Sequence, residues 1–304
     1  MSSLRLNNWA IASLALLAGL GSVPTAASAG LFHRQATVEA PIAPAAVVAE
    51  IQRALDEQRL LDAGKMLDDA LLADMHDPRL QVLAGQLNLA RGRYADALAA
   101  YQQVAAVPEV KGAALEGQGL ALSLLGRSDE ALATLKQAVE VTPSAWRAWN
   151  ALGAEYDARR NWPQAEAAYE RAVSESDSAP IALNNRGFSR LLQGRFDAAV
   201  SDFVTALGKK PDLMAARTNL RLAMAMRGEY DRAVAGAPQD DEAASLNNAG
   251  FAAMMRGDYP AAEDLFERAI GSKGVYYGRA ATNLQLARSL ETQTKAMKSA
   301  TSAP

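Results

Sequence analysis

The segment from Trp146 to Ser178 reads WRAWNALGAEYDARRNWPQAEAAYERAVSESDS, and its arrangement of small and bulky residues recurs along most of the chain. In its 34-residue register, small residues stand at positions 8 and 20, glycine is common at position 15, and bulky residues stand at positions 4, 7, 11 and 24. A fixed period of this length indicates a repeated helix–turn–helix unit that stacks on its neighbours. The units begin at Pro44, Pro78, Gly112, Trp146, Pro180, Met214, Ala243 and Tyr277.

The repeat at Trp146 carries the pattern most completely, with Leu152, Gly153, Tyr156 and Ala165 in defining positions. Small residues suit places where two helices cross closely, and bulky residues at helical spacing form a buried stripe. These residues resemble the tetratricopeptide repeat. The resemblance implies an all-α fold, a superhelical solenoid of about seven helix–turn–helix repeats over residues 44–276, closed by a capping helix over 277–294. Proteins of that family usually hold another protein in a concave groove.

The register breaks in the repeat that begins at Met214. Arg221 takes the small-residue position 8, and the next repeat starts 29 residues later rather than 34. Gly236 and Pro238 fall in the second helix of this repeat, and proline disrupts a helix interior because it lacks a backbone N–H. The sequence therefore predicts a shortened second helix and a local opening of the stack.

The two ends differ in composition from the repeats. Residues 1–29 combine a basic residue, a short apolar core and a small-residue cleavage site before Gly30, which is typical of a secretory signal peptide. An uncleaved membrane anchor is the alternative. Residues 30–43 form a predicted flexible leader, and residues 295–304 form a predicted disordered tail. The mature protein is therefore expected in the periplasm.

The amino-acid composition argues against catalysis and against lipid attachment. The chain has no cysteine, so it cannot form a disulfide or carry the acylated cysteine of a bacterial lipoprotein. Its net charge of −3 is unlike the basic balance of nucleic-acid-binding proteins. His33 and His76 have no catalytic or metal-binding motif around them. We expect a non-catalytic protein without cofactors, metal sites, nucleic-acid partners or a direct lipid anchor.

Asparagines occupy one register position in three consecutive repeats. The resemblance implies that positions 2, 5, 6, 9, 12 and 13 of each first helix face the binding groove. A side-chain amide both donates and accepts hydrogen bonds, so a row of amides suits the backbone of a bound segment. The alternative is that these amides bind neighbouring repeats. Position 6 is Asn185, Asn219 and Asn248, and position 5 is Asn184 and Asn247.

Apolar side chains flank these asparagines at positions 9, 12 and 13 of the same helices. An exposed apolar surface of this kind marks a binding site, and methionine adapts to varied partners. The alternative is that the capping helix or the leader fills the groove. The apolar candidates are Phe188, Leu192, Leu222, Met226, Phe251, Met254 and Met255.

Two segments indicate a more specific relationship. Leu183–Ala199, LNNRGFSRLLQGRFDAA, and Leu246–Ala262, LNNAGFAAMMRGDYPAA, are close copies. With the predicted signal peptide and Thr218–Ala233, they resemble the tetratricopeptide component of the tight-adherence (Tad) machinery that assembles Flp pili. The resemblance implies a cell-envelope assembly scaffold whose partner is a secretin, a pilotin, a pilin or another envelope assembly component. The alternatives are a periplasmic adaptor for envelope enzymes such as peptidoglycan hydrolases and, more remotely, a small-molecule carrier or an enzyme.

Overall fold

The computed structural model describes residues 43, 45–73, 75–235, 241–272 and 277–301, and helices are the only regular secondary structure in these ranges. The predicted all-α fold of about seven helix pairs and a final helix is confirmed. The predicted signal peptide (1–29) and all but the last residue of the predicted leader (30–43) lie outside the described residues. The helices are α1 (Ala45–Asp56), α2 (Leu60–Leu72), α3 (Pro78–Ala90), α4 (Tyr94–Val104), α5 (Lys111–Leu124), α6 (Ser128–Val141), α7 (Trp146–Ala158), α8 (Trp162–Glu175), α9 (Pro180–Leu192), α10 (Phe196–Lys209), α11 (Met214–Arg227), α12 (Tyr230–Val234), α13 (Glu242–Met255), α14 (Tyr259–Gly271) and α15 (Tyr277–Thr301).

The chain divides into two compact units, one ending at Asp177 and the other beginning at Ser178. Unit 1 contains the helix pairs from α1 to α8, and unit 2 contains the pairs from α9 to α14 and the last helix, α15. Within each unit, the second helix of a pair packs against the first helix of the next pair, as α4 does on α5 and α10 does on α11. The apolar core of each unit therefore extends from one pair to the next.

Paired helices approach closely where position 8 is glycine. A Cβ atom on Gly153 would lie 2.6 Å from the ring of Tyr169, and one on Gly187 would lie 2.8 Å from the ring of Phe203. These distances are shorter than carbon atoms tolerate, so a larger residue would force the two helices apart. Because the glycines leave room for them, the two rings are almost wholly buried.

The turn within each helix pair has the same backbone conformation at position 15. This residue has a φ between +54° and +90° in all seven repeats, which is the left-handed region that favours glycine. Five repeats have glycine there, and Gln58 and Arg160 adopt the conformation in the first and fourth repeats. Packing of the two helices therefore imposes the turn even where the residue is not glycine.

The predicted shortening of the second helix after Met214 is confirmed. Helix α12 has five residues, whereas the second helices of the other pairs have 11 to 14. Gly236 and Pro238, and with them the predicted opening of the stack, fall in residues 236–240, which lie outside the described residues.

The last helix extends beyond its predicted end at residue 294. Residues 295–301, expected to belong to a disordered tail, continue α15 as far as Thr301. Lys295 pairs with Glu291 one turn earlier at 2.9 Å, and lysine, alanine and methionine are all good helix formers. Local helix propensity therefore carries the helix past the end of the repeat pattern.

Candidate partner-binding face

Nine side chains form a regular array on the first helices of unit 2. On α9, α11 and α13, positions 6, 9 and 13 are half-buried, except for Met255, which is 41% exposed. These positions are three and four residues apart, so they lie along one face of each helix. Because α9 contacts α11 and α11 contacts α13, the three faces are adjacent. We call this array the amide face, and it comprises Asn185, Phe188, Leu192, Asn219, Leu222, Met226, Asn248, Phe251 and Met255.

Three residues predicted for the binding surface are buried instead. Asn184 and Asn247, at position 5, are each 4% exposed, and Met254, at position 12, is 6% exposed. Each lies one residue before a position of the amide face, and one residue is about 100° of rotation around a helix. The side chains therefore point into the packing between helices, and the prediction that they line the surface was wrong.

Asn184 links two asparagines of the amide face. Its Nδ2 donates a hydrogen bond to Oδ1 of Asn185 at 3.1 Å, and its Oδ1 accepts one from Nδ2 of Asn219 at 3.0 Å. A related bond joins α13 to α15, where Nδ2 of Asn283 donates to Oδ1 of Asn247 at 3.0 Å. Since a buried amide without a partner is costly, the bonds from Asn219 and Asn283 stabilise the stacking of successive first helices.

The three position-6 asparagines consequently have different surroundings. Asn219 bonds to Asn184 of the preceding repeat, so the alternative in which these amides join repeats holds for Asn219, whereas Asn185 bonds to Asn184 on its own helix. Within the part of the chain that the structure describes, the side chain of Asn248 makes no hydrogen bond. Its half-buried amide therefore keeps a donor and an acceptor for a partner.

Four of the six apolar members of the amide face are anchored in the core on one side. Phe188 packs against the cluster around Phe203, and Leu222, Met226 and Phe251 pack against the cluster around Phe266. The exposed part of the six side chains forms two apolar rows beside the row of asparagines. Fixed side chains of this kind lose little conformational freedom when a partner covers them.

A buried ion cluster between α9 and α10 was missed by the sequence analysis. Asp202 is 4% exposed, and its carboxylate accepts hydrogen bonds from Arg186 at 3.0 and 2.7 Å and from Arg190 at 2.8 Å. The signal was arginine at positions 7 and 11, where the repeat at Trp146 has Leu152 and Tyr156. The cluster joins the two helices. No residue of the amide face itself carries an ionisable group.

The array ends at α13 because the next first-helix position, on α15, is polar. Positions 6, 9 and 13 counted from Tyr277 are Thr282, Gln285 and Ser289, and all three are exposed. The apolar rows therefore extend over three helices and stop before the fourth.

The amide face offers amides and apolar contacts, which suit binding of another molecule. No cluster of three or more histidine, aspartate or glutamate side chains that could hold a metal ion is found among the described residues. In the same residues, no helix combines the length and the apolar character needed to cross a membrane.

Comparison with known sequences identifies the repeat. A family model described as the tetratricopeptide repeat matches residues 48–114, 116–180 and 151–213, which together make up more than half of the chain. A second model of the same repeat matches residues 243–272. No curated protein matches the chain in sequence at a significant level.

Several solved structures share the fold. A thermophilic tetratricopeptide repeat protein of Thermus thermophilus has a TM-score of 0.53 at 20% identity, covering 59% of this chain and 97% of its own. The C-terminal part of a tetratricopeptide repeat protein of Cytophaga hutchinsonii has a TM-score of 0.53 at 14% identity, covering 78% of this chain and 99% of its own. A chain of the APC/C hetero-tetramer Cut9–Hcn1 has a TM-score of 0.55 at 14% identity, covering 79% of this chain and 48% of its own. At these identities the similarity shows the fold alone.

Proposed function

The chain belongs to the tetratricopeptide repeat family, and we propose that its amide face holds a segment of a partner protein. The fold is that of protein–protein interaction scaffolds. The observation that carries the proposal is the array of nine partly exposed side chains, with one amide row beside two apolar rows on adjacent helices. Apolar surface organised in this way would be unfavourable in water without a function that covers it.

We further propose that the scaffold acts in the cell envelope, in assembly of a Tad-type Flp pilus. Two observations on the sequence support this role: the features of a signal peptide in residues 1–29, and the resemblance of Leu183–Ala199 and Leu246–Ala262 to the tetratricopeptide component of that machinery. The partner would then be a secretin, a pilotin, a pilin or another component of the assembly apparatus.

Site-specific cross-linking in cells tests the binding face. A photoreactive residue at Met255, which is 41% exposed on the amide face, should form an adduct with a pilus-assembly component that mass spectrometry identifies. The matched control is Val204, which is 52% exposed on α10 and outside the amide face. Adducts from Val204 alone, or from both positions equally, would contradict the proposed site. An adduct from Met255 with a peptidoglycan hydrolase would contradict the pilus role and support the adaptor alternative.

Fractionation tests the location. The protein should leave the cells on osmotic shock, and its mature amino terminus should be Gly30. Recovery only in the detergent-soluble membrane fraction, with residues 1–29 still attached, would contradict the proposal and support a membrane anchor.

A further inference from the structure

The spacing of the rows on the amide face restricts the conformation of the bound segment. Equivalent residues lie on adjacent packed helices, as Asn219 and Asn248 do on α11 and α13. Packed helices have axes about 8–10 Å apart, so equivalent side chains recur at roughly that interval. A segment that crosses the three helices meets the same kind of subsite every ~8–10 Å.

Chain conformations differ in how often they present a side chain on one side. A polyproline II segment has three residues per turn and rises about 3.1 Å per residue, so every third side chain lies on one side, about 9 Å apart. A β-strand presents alternate side chains about 6.6 Å apart. Neighbouring side chains on a helix lie only about 5–6 Å apart. The polyproline II period is the one that matches the interval between the packed helices.

The amide row favours the same conformation. An α-helix satisfies its own backbone groups, so it offers few partners to side-chain amides. A polyproline II segment has no internal hydrogen bonds and leaves its backbone N–H and C=O groups open. Asn248 keeps a donor and an acceptor for such groups, next to the exposed side of Phe251.

The charge pattern restricts the composition of the segment. None of the nine residues of the amide face is ionisable, and the nearby Arg186 and Arg190 are paired with Asp202. A charged side chain lying on this face would lose water, and none of the nine residues would supply a counter-charge. The polar residues on α15 limit the apolar contact to three helices, which is about seven residues of polyproline II.

We infer that the amide face binds an uncharged polyproline II segment of the partner with an apolar side chain at every third position. This inference rests on the proposed function, in that the amide face must be a protein-binding site. The apolar side chains lie on the rows of Phe188, Leu222 and Phe251, and the backbone lies along the asparagines.

Peptides of one composition and different spacing test the inference. The probe is an end-blocked, fluorescently labelled nonapeptide of three Leu-Pro-Gln triplets, which has leucine at every third position. The spacing control has the sequence Leu-Pro-Leu-Gln-Leu-Pro-Gln-Pro-Gln, with the same composition. Two charged controls replace each glutamine of the probe with lysine or with glutamate. Anisotropy titrations with the purified protein should show binding of the probe that is at least ~10-fold tighter than binding of each control, since each tenfold step is about 1.4 kcal/mol.

Two matched variants test whether the probe binds at the amide face. Met255→Glu introduces a charge on the amide face and should weaken probe binding at least ~10-fold, whereas Val204→Glu on α10 should leave it unchanged. Both native residues are exposed, so neither change should unfold the protein, and circular dichroism checks this. Equal binding of the probe and the spacing control, tighter binding of a charged control, or no binding of the probe would each overturn the inference. If cross-linking through Met255 still identified a partner in these cases, the proposed function would stand and only the stated conformation and composition would fail.

Discussion

Replacing the asparagines of unit 2 one at a time should separate those that stabilise the fold from the one available to a partner. Asn184→Ala removes two hydrogen bonds, to Asn185 and Asn219, and Asn247→Ala removes the bond from Asn283. Each bond contributes about 0.5–1.5 kcal/mol net, so the first change should cost about 1–3 kcal/mol and the second about 0.5–1.5 kcal/mol. For Asn248→Ala we expect a change within about 0.5 kcal/mol, because that side chain has no bond to lose among the described residues.

Hydrogen-exchange mass spectrometry measures these costs locally. The amides of α9 and α11 should exchange about 5- to 150-fold faster in Asn184→Ala than in the native protein, because the free energy of local opening falls. Exchange of α13 in Asn248→Ala should stay within about twofold of the native rate, which corresponds to a cost below about 0.5 kcal/mol. Binding of the Leu-Pro-Gln probe should show the reverse order. Asn248→Ala should lower the affinity for this probe about 2- to 10-fold. Equal exchange rates in the two variants, or a larger effect for Asn248→Ala, would refute the distinction between buried and available amides.

Three further outcomes follow from the contacts. Asp202→Ala should destabilise unit 2 by about 3 kcal/mol, because it leaves two largely buried arginines unpaired. Asp197→Ala, at an 89% exposed carboxylate, should cost less than about 0.5 kcal/mol. Denaturant titrations of the two variants measure both free energies of unfolding. Helix α12 should exchange its amides faster than α10, since it is only five residues long, and equal protection would contradict this. Burial, opposed by Arg147, raises the pKa of the Glu116 carboxyl, so the folded state retains this proton to higher pH than the unfolded state does. The stability of unit 1 should therefore fall as the pH rises from the ordinary glutamate range towards neutrality, and Glu116→Gln should reduce that fall in unfolding curves measured across this range.

Most of the fold could be predicted from the sequence, because the residues that determine it lie within short segments of the chain. A small residue at position 8 and bulky residues at positions 7, 11 and 24 recur in one register, so stacking of helix pairs could be predicted without knowledge of any contact. The short helix after Met214 was predicted for the same kind of reason, since proline in a helix interior removes a backbone hydrogen bond whatever surrounds the helix. The end of α15 was not predicted correctly, because residues with high helix propensity continue after the repeat pattern has stopped.

The candidate site was predicted at the level of helices but not of individual residues. The sequence placed Asn184 and Asn185 on the same surface, whereas the structure buries the first and leaves the second half-exposed. The side chains of adjacent helix residues point about 100° apart. The repeat pattern does not show which of these two directions the neighbouring helix covers. The Asp202 cluster was missed because arginines at core positions can be explained only when their partner on α10 is seen.

The sequence by itself determined the repeat, the all-α fold, the positions of the turns and the three helices that carry the asparagines. These features depend on residue size, backbone freedom and helical periodicity, all of which are properties of short segments. Only the tertiary structure decided which amides are used within the protein and that Asn248 keeps its hydrogen-bonding groups for a partner. That decision depends on the rotation of each helix against the next, which is set by side-chain packing between neighbouring repeats.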